Sequence, residues 1–139
     1  MKNYYFEPIE KANNGDTYPI NNIIDQLAFN AQGLIPVITQ DVKSQQVLML
    51  AWMDKNAIEH TLSTKRVTYW SRSRKQLWVK GETSGHTQTL VSMSFDCDGD
   101  AILCLVKQAG PACHTGRPHC FYLNVDNEQQ TIIVSGNQK

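Results

Sequence analysis

Residues 95–104 read FDCDGDAILC, so Asp96, Asp98 and Asp100 stand two positions apart with Cys97 between the first two. Three carboxylates this close repel one another unless a cation compensates them. In an extended segment, side chains at i, i+2 and i+4 share one face. The aspartates would then form a set of hard oxygen ligands suited to Mg²⁺ or Ca²⁺, and Cys97 would point to the opposite face. Gly99 eases a turn or bulge there. An EF-hand loop does not fit: counted from Asp96, the glycine position holds Ala101 and the bidentate glutamate position holds Lys107. The plainer reading is a solvated acidic turn.

A second set of donors follows in GPACHTGRPHCFY, where Cys113 and Cys120 lie seven positions apart. Gly110, Pro111, Gly116 and Pro118 mark a loop that can fold back and bring two thiolates to one ion. Zinc favours such thiolate and imidazole donors in tetrahedral geometry. His114 and His119 each sit beside one of the cysteines, as nitrogen ligands or as a general base. The interval is not that of a zinc ribbon or finger, which sets two to four residues between paired cysteines. A third ligand is needed, and Cys97 is the candidate, from the same chain or from a second one. Cys104, inside the apolar run AILCLV, reads as a buried, inert thiol.

The third dense region is YWSRSRKQLWVKGETSGHTQ, residues 69–88. Arg72, Arg74, Lys75 and Lys80 offer anion contacts, and arginine forks match phosphate oxygens. Ser71, Ser73, Thr83 and Ser84 add hydroxyls, GETSG could aim backbone N–H groups at a phosphate, and Trp70 and Trp78 could stack on a purine. The alternative is a solvated strand pair, with Trp70 packed inward and Trp78 in the core.

The elements that must hold these groups are mostly short strands. LIPVITQDV and QQVLMLAWM, separated by Lys43-Ser44, predict a hairpin. Asp54 is an N-cap for the helix KNAIEHTLSTK, where Ala57, Ile58 and Leu62 line one face. RVTYWSRS, QLWVK, TQTLVSMSF, AILCLVKQ, FYLNV and QQTIIVS read as strands. INNIIDQLAFN predicts a short helix closed by Gly33, and residues 1–20 read as an irregular extension without chemistry. The whole predicts an α+β domain, its sheet mainly antiparallel because the connections are too short for βα crossovers. The chain has 139 residues, 41% of them hydrophobic, and its formal net charge is zero. That balance argues against nucleic acid and anionic membranes as partners. With no 18-residue apolar run and no apolar signal-like start, the expected place is the cytoplasm, with reduced cysteines.

The ordered set WSRSR, LWVKGETSG and FDCDGDAILCLVKQAGPACHTGRPHCFY closely resembles the phosphoribosyl-AMP cyclohydrolases of histidine biosynthesis, over residues 30–123. The resemblance implies hydrolysis of the N1–C6 bond of the adenine ring of 1-(5-phosphoribosyl)-AMP, giving the formimino-carboxamide ribonucleotide. It implies an α+β protomer in an intertwined homodimer, with residues 1–30 as an N-terminal extension and 31–139 as the cyclohydrolase domain. It implies that Cys97 of one chain and Cys113 and Cys120 of the other hold Zn²⁺, and that Asp96, Asp98 and Asp100 hold Mg²⁺. His114 matches a histidine tied to catalysis. Trp70, Ser71, Arg72, Ser73 and Arg74, with Lys80, Gly81, Glu82, Thr83, Ser84 and Gly85, match the substrate-binding region. Three thiolates would leave one of zinc's four positions open, as catalytic sites do. Before Cys120 this chain reads GRPH, so His119 is a rival fourth ligand. The other readings are a zinc-dependent purine deaminase, whose H-x-E…P-C-x-x-C pattern is missing, and a non-catalytic structural-zinc module with four protein ligands.

Overall fold

The computed structural model describes residues 4–139. Two 3₁₀ turns (Tyr4–Phe6 and Pro8–Lys11) and a short helix α1 (Ile20–Asp25) precede strands β1 (Ile35–Asp41) and β2 (Val47–Met53). Helix α2 (Lys55–Thr64), the hairpin β3 (Thr68–Ser71) and β4 (Gln76–Val79), long strands β5 (Gln88–Phe95) and β6 (Ile102–Gln108), and a terminal hairpin β7 (Leu123–Asp126) and β8 (Thr131–Val134) complete the chain. The expected α+β class is observed. Antiparallel pairing dominates, with one exception: the four-stranded sheet has the order β2-β1-β6-β5, and β1 pairs with β6 in parallel.

The expected hairpin of β1 and β2 runs antiparallel from Ile35 opposite Met53 to Gln40 opposite Val47. Asp54 caps α2 by accepting a 2.7 Å hydrogen bond from the Ala57 N–H, which satisfies one of the helix's first unpaired donors. Lys65 ends the helix in the left-handed region at φ 61°. α1 stops at Asp25 with Gln26 as its cap, well before Gly33.

One face of the sheet forms the core. Ile35 and Val37 of β1, Met53 of β2 and Ile102, Cys104 and Val106 of β6 are buried there with Ala57 and Ile58 of α2 and Tyr69 of β3. On β3, Tyr69 rather than Trp70 is the inward residue, so Trp70 stays half-buried at the rim. The opposite face keeps Ile38 and Leu50 exposed, and the terminal hairpin exposes Leu123, Val125, Ile132 and Val134. The first thirty residues contribute to the core as well: Phe6, Ile24 and Leu27 are buried in it. Among the described residues no helix is long and apolar enough to cross a membrane.

Candidate active site

The acidic segment is a turn, not an extension of β5. Asp96 Oδ1 accepts the backbone N–H groups of Asp100 (2.8 Å) and Ala101 (3.3 Å), and Gly99 takes φ +70°. The same-face argument for Asp96, Asp98 and Asp100 therefore does not describe how they meet. The turn itself gathers them, each placing a carboxylate oxygen within 4.8 Å of the others. Their mutual repulsion is visible in Asp100, whose pKa is pushed up to about 6 by hydrogen bonding to Asp96, burial and the Asp98 carboxylate. Asp96 moves the other way: burial raises it, but hydrogen bonds from Asp100 and from backbone N–H groups outweigh this. A shared-proton pair beside a third carboxylate is a donor set that a hard divalent cation fits.

Cys113 and Cys120 converge because the loop between them closes on itself. The Ala112 N–H donates to Pro118 O, the Cys113 N–H to Arg117 O, and the Cys120 N–H reaches Leu48 O of β2 at 2.7 Å. The two thiols lie within hydrogen-bonding reach of each other. Burial raises Cys113, but hydrogen bonds from Thr115, the contact with Cys120 and the charge of Arg117 more than reverse it. Cys120 is pushed up to about 11 by burial and by the neighbouring Cys113. A more acidic thiol beside a less acidic one makes a pair that zinc would convert to two thiolates. Cys104 is buried in the sheet and pushed up to about 12 by burial, an inert thiol as expected.

Lys80 ties the basic stretch to this loop. It is buried, and its Nζ donates to the carbonyl of Ala112, next to Cys113. Burial lowers its pKa against the opposing pull of Cys120 and Cys113. Its ammonium also lies 5.3 Å from the Trp78 ring centroid. A cavity of about 610 Å³ opens between these parts, lined by Arg74, Lys80, Glu82, Ser84, Cys113 and His114 among others. Gly81 and Thr83 also border it, whereas Gly85 does not. Trp70, Ser71, Arg72 and Ser73 line an adjoining hollow of about 480 Å³ with Trp52, and Arg74 and Trp78 border both. Arg72 stacks 5.0 Å above Trp52, and Ser71 Oγ holds the turn by accepting the Arg74 N–H. Trp52, His86 and Lys139 were not anticipated from the sequence. His86 directly follows GETSG, but nothing in the local pattern distinguishes Trp52 or the terminal Lys139 as site residues.

Among the described residues the structure does not gather Cys97 with the paired cysteines within one chain. β1 and β6 run parallel, with Val37 opposite Ile102 and Asp41 opposite Val106. The acidic turn and Cys97 precede β6, while Cys113 and Cys120 follow it in the chain, and the Cys120 N–H is bonded to Leu48 O of β2. Among the described residues Cys97 does not join the other cysteines, and neither His114 nor His119 gathers with them as the aspartates do. His119 instead accepts the Phe121 N–H on Nδ1 at 3.1 Å.

Residues 49–122, more than half of the chain and the stretch holding all of these donors, match the family model described as phosphoribosyl-AMP cyclohydrolase. The phosphoribosyl-AMP cyclohydrolase of Hydrogenovibrio crunogenus is 50% identical over 94% of this chain and 88% of its own. That of Alkalilimnicola ehrlichii is 49% identical over 94% and 92%, and that of Roseobacter denitrificans 56% identical over 79% and 87%. At 94% coverage these alignments take in most of residues 1–30 as well. A cavity that joins the GETSG turn to a paired-cysteine loop, on a sheet whose sequence aligns with these enzymes almost end to end, leaves one assignment: the chain belongs to the phosphoribosyl-AMP cyclohydrolase family.

Proposed function

We infer that this chain hydrolyses the N1–C6 bond of the adenine ring of 1-(5-phosphoribosyl)-AMP, the third step of histidine biosynthesis. The observation that carries the reading is the 610 Å³ cavity, which seats Lys80–Ser84 of the basic stretch against Cys113 and His114. A nucleotide with two phosphate groups and a hydrolytic centre need this adjacency. Arg74 and the hydroxyls of Thr83 and Ser84 hold phosphate, and Trp70 with Trp78 offer aromatic faces to the purine. Ser71, Arg72 and Ser73 bind the far end of the substrate in the adjoining hollow. Gly81 and Gly85 shape the turn that presents Glu82.

Cys113 and Cys120 hold Zn²⁺ together with Cys97, and Asp96, Asp98 and Asp100 hold Mg²⁺. Bound zinc supplies Lewis acidity and a hydroxide source near neutral pH. Lys80 fixes the cysteine loop through Ala112 and offsets thiolate charge. His114, exposed at the cavity wall, takes the proton of the water-derived hydroxyl as the C6 carbonyl forms, within the usual reach of imidazole chemistry.

Cys97 comes from a second copy of the chain. Among the described residues Cys97 does not gather with Cys113 and Cys120 of its own chain, and exposed Ile38, Leu50, Leu123, Val125, Ile132 and Val134 provide apolar surface for a homodimer. The test is turnover of 1-(5-phosphoribosyl)-AMP followed by absorbance, with metal analysis and solution mass on the same preparation. Expected are activity lost on chelation, one zinc per chain and a dimer mass. A protein that holds zinc but leaves this nucleotide intact would instead be the structural-zinc module.

A further inference from the structure

Two glycines of the site have no room for a side chain, and the obstacle at both is the same residue, His86. A Cβ on Gly81 would lie 2.2 Å from the His86 carbonyl carbon, and a Cβ on Gly110 would lie 2.6 Å from Cδ2 of its imidazole. Both glycines have positive φ, +77° and +71°, a conformation other residues rarely adopt. The sequence thus commits two turns, one after β4 and one after β6, to closing on His86 from two sides. The backbone is tied as well: the His86 N–H donates to Ser84 Oγ at 3.2 Å, and its carbonyl accepts from Gln108 Nε2 at 3.3 Å. Gln108 is in turn held by Gln88, which is buried and bonded to Tyr69. A side chain this constrained, half-buried in the wall of the 610 Å³ cavity with Lys80, Cys113 and His114, is placed for contact with what the cavity holds.

We propose that His86 is a catalytic residue of the hydrolysis, the proton donor to the departing N1. The inference rests on the reaction assigned above. In the neutral imino form of the ring, water adds across the C6–N double bond to the exocyclic nitrogen. Its oxygen bonds to C6, and one of its protons ends on that nitrogen, which becomes the carboxamide NH₂. When the resulting carbinol collapses, the hydroxyl proton passes to His114 and the carbonyl forms. The C6–N1 bond breaks, its electron pair stays on N1, and N1 takes a proton from His86. One water is consumed, and a proton exchanged through solvent returns both imidazoles to their starting states. Two proton transfers at opposite ends of one breaking bond call for two groups, and the cavity supplies two histidines.

The test compares the parent enzyme with His86→Gln and His86→Ala on 1-(5-phosphoribosyl)-AMP. Glutamine keeps a hydrogen-bond donor but cannot transfer its proton as an acid. Removal of a general acid predicts a fall in kcat of about 10²- to 10³-fold, with KM within about threefold and zinc content unchanged. Added imidazole should restore part of the kcat of His86→Ala, a rescue that a purely structural role does not give. In the unaltered enzyme, AMP should protect His86 from diethyl pyrocarbonate, read by peptide mass. Parent-like kcat in His86→Gln, a loss confined to KM, or modification of His86 undiminished by saturating AMP would overturn the proposal. An inactive parent would overturn the assigned reaction itself, and the two failures are thereby distinct.

Discussion

The ring of Phe6 lies directly on Gly99, so closely that a Cβ there would sit 2.3 Å from Phe6 Cε2. Phe6 is only 5% exposed, and nearby the Ala28 N–H donates to the Gly99 carbonyl at 2.8 Å. The N-terminal segment is therefore the floor of the acidic turn. Phe6→Ala opens a cavity under Gly99 and should destabilise the protein by about 3–5 kcal/mol, the usual cost of emptying a buried aromatic site. It should also weaken Mg²⁺ binding, measured by calorimetric titration, while zinc content stays at the parent level. Unchanged Mg²⁺ affinity would show that the turn holds its shape without this support.

Asp100 makes a pH prediction with a definite sign. Its folded pKa, about 6, lies above the ordinary carboxylate value of 3.8. The folded state therefore holds this proton more tightly than the unfolded state. The associated stability is fully present below pH 3.8 and is lost as pH rises through about 6. Metal-free protein should lose stability across that window, seen as a falling urea midpoint. Saturating Mg²⁺ or Asp100→Asn should flatten the slope. Mg²⁺ binding at pH 6 should release protons, detectable as a buffer-dependent enthalpy. A metal-free urea midpoint that does not change between pH 4 and 6 would contradict the coupling.

The cysteine pair makes a pH prediction for zinc. Cys120, pushed up to about 11, must surrender its proton before two thiolates can bind one ion. Zinc affinity should rise with pH through neutrality, and Cys120→Ser should abolish stoichiometric zinc. Lys80→Met removes the ammonium that lowers Cys120 and the bond to Ala112. It should reduce zinc affinity to the same extent at pH 7 and pH 9, both below the Cys120 pKa, as competition with chelators would report.

Much of this was legible in residue patterns. The cap at Asp54, the β1–β2 hairpin and the strand identities follow from local chemistry and alternation. β5 shows where alternation misleads. Its pairing with β6 slips between Leu90 and Ser92, so the inward residues are Gln88 and Leu90 before the bulge and Met93 and Phe95 after it. A reading that keeps one parity from Thr87 to Phe95 puts half the strand on the wrong face. The acidic triplet was found from its spacing, yet for the wrong geometric reason, since a turn rather than a strand gathers it. The role of Phe6 and the clasp around His86 could not be read at all. Both are contacts between segments far apart in sequence, and a glycine's need for empty space is set by its neighbour in three dimensions.

The buried polar relay behind His86 supplies the final prediction. The Tyr69 hydroxyl shares a 2.7 Å bond with Thr39 Oγ1 and donates to Gln88 Oε1 at 2.6 Å. Gln88 Nε2 continues to Gln108 Oε1 at 2.9 Å, and Gln108 reaches the His86 carbonyl. Tyr69, Thr39 and Gln88 are all fully buried. Tyr69→Phe leaves the Thr39 hydroxyl and the Gln88 carbonyl without their shared partner, and an unsatisfied buried group costs about 1–3 kcal/mol. Thr39→Val in the same background removes one of those orphans. The double variant should therefore be more stable than the sum of the two single losses, a coupling expected of residues in one network. If the relay also steadies His86, Tyr69→Phe should lower kcat several-fold without altering zinc content. Strictly additive stabilities, measured by urea unfolding of all three variants, would mean that the hydroxyl pair acts as two separate bonds and transmits nothing along the chain.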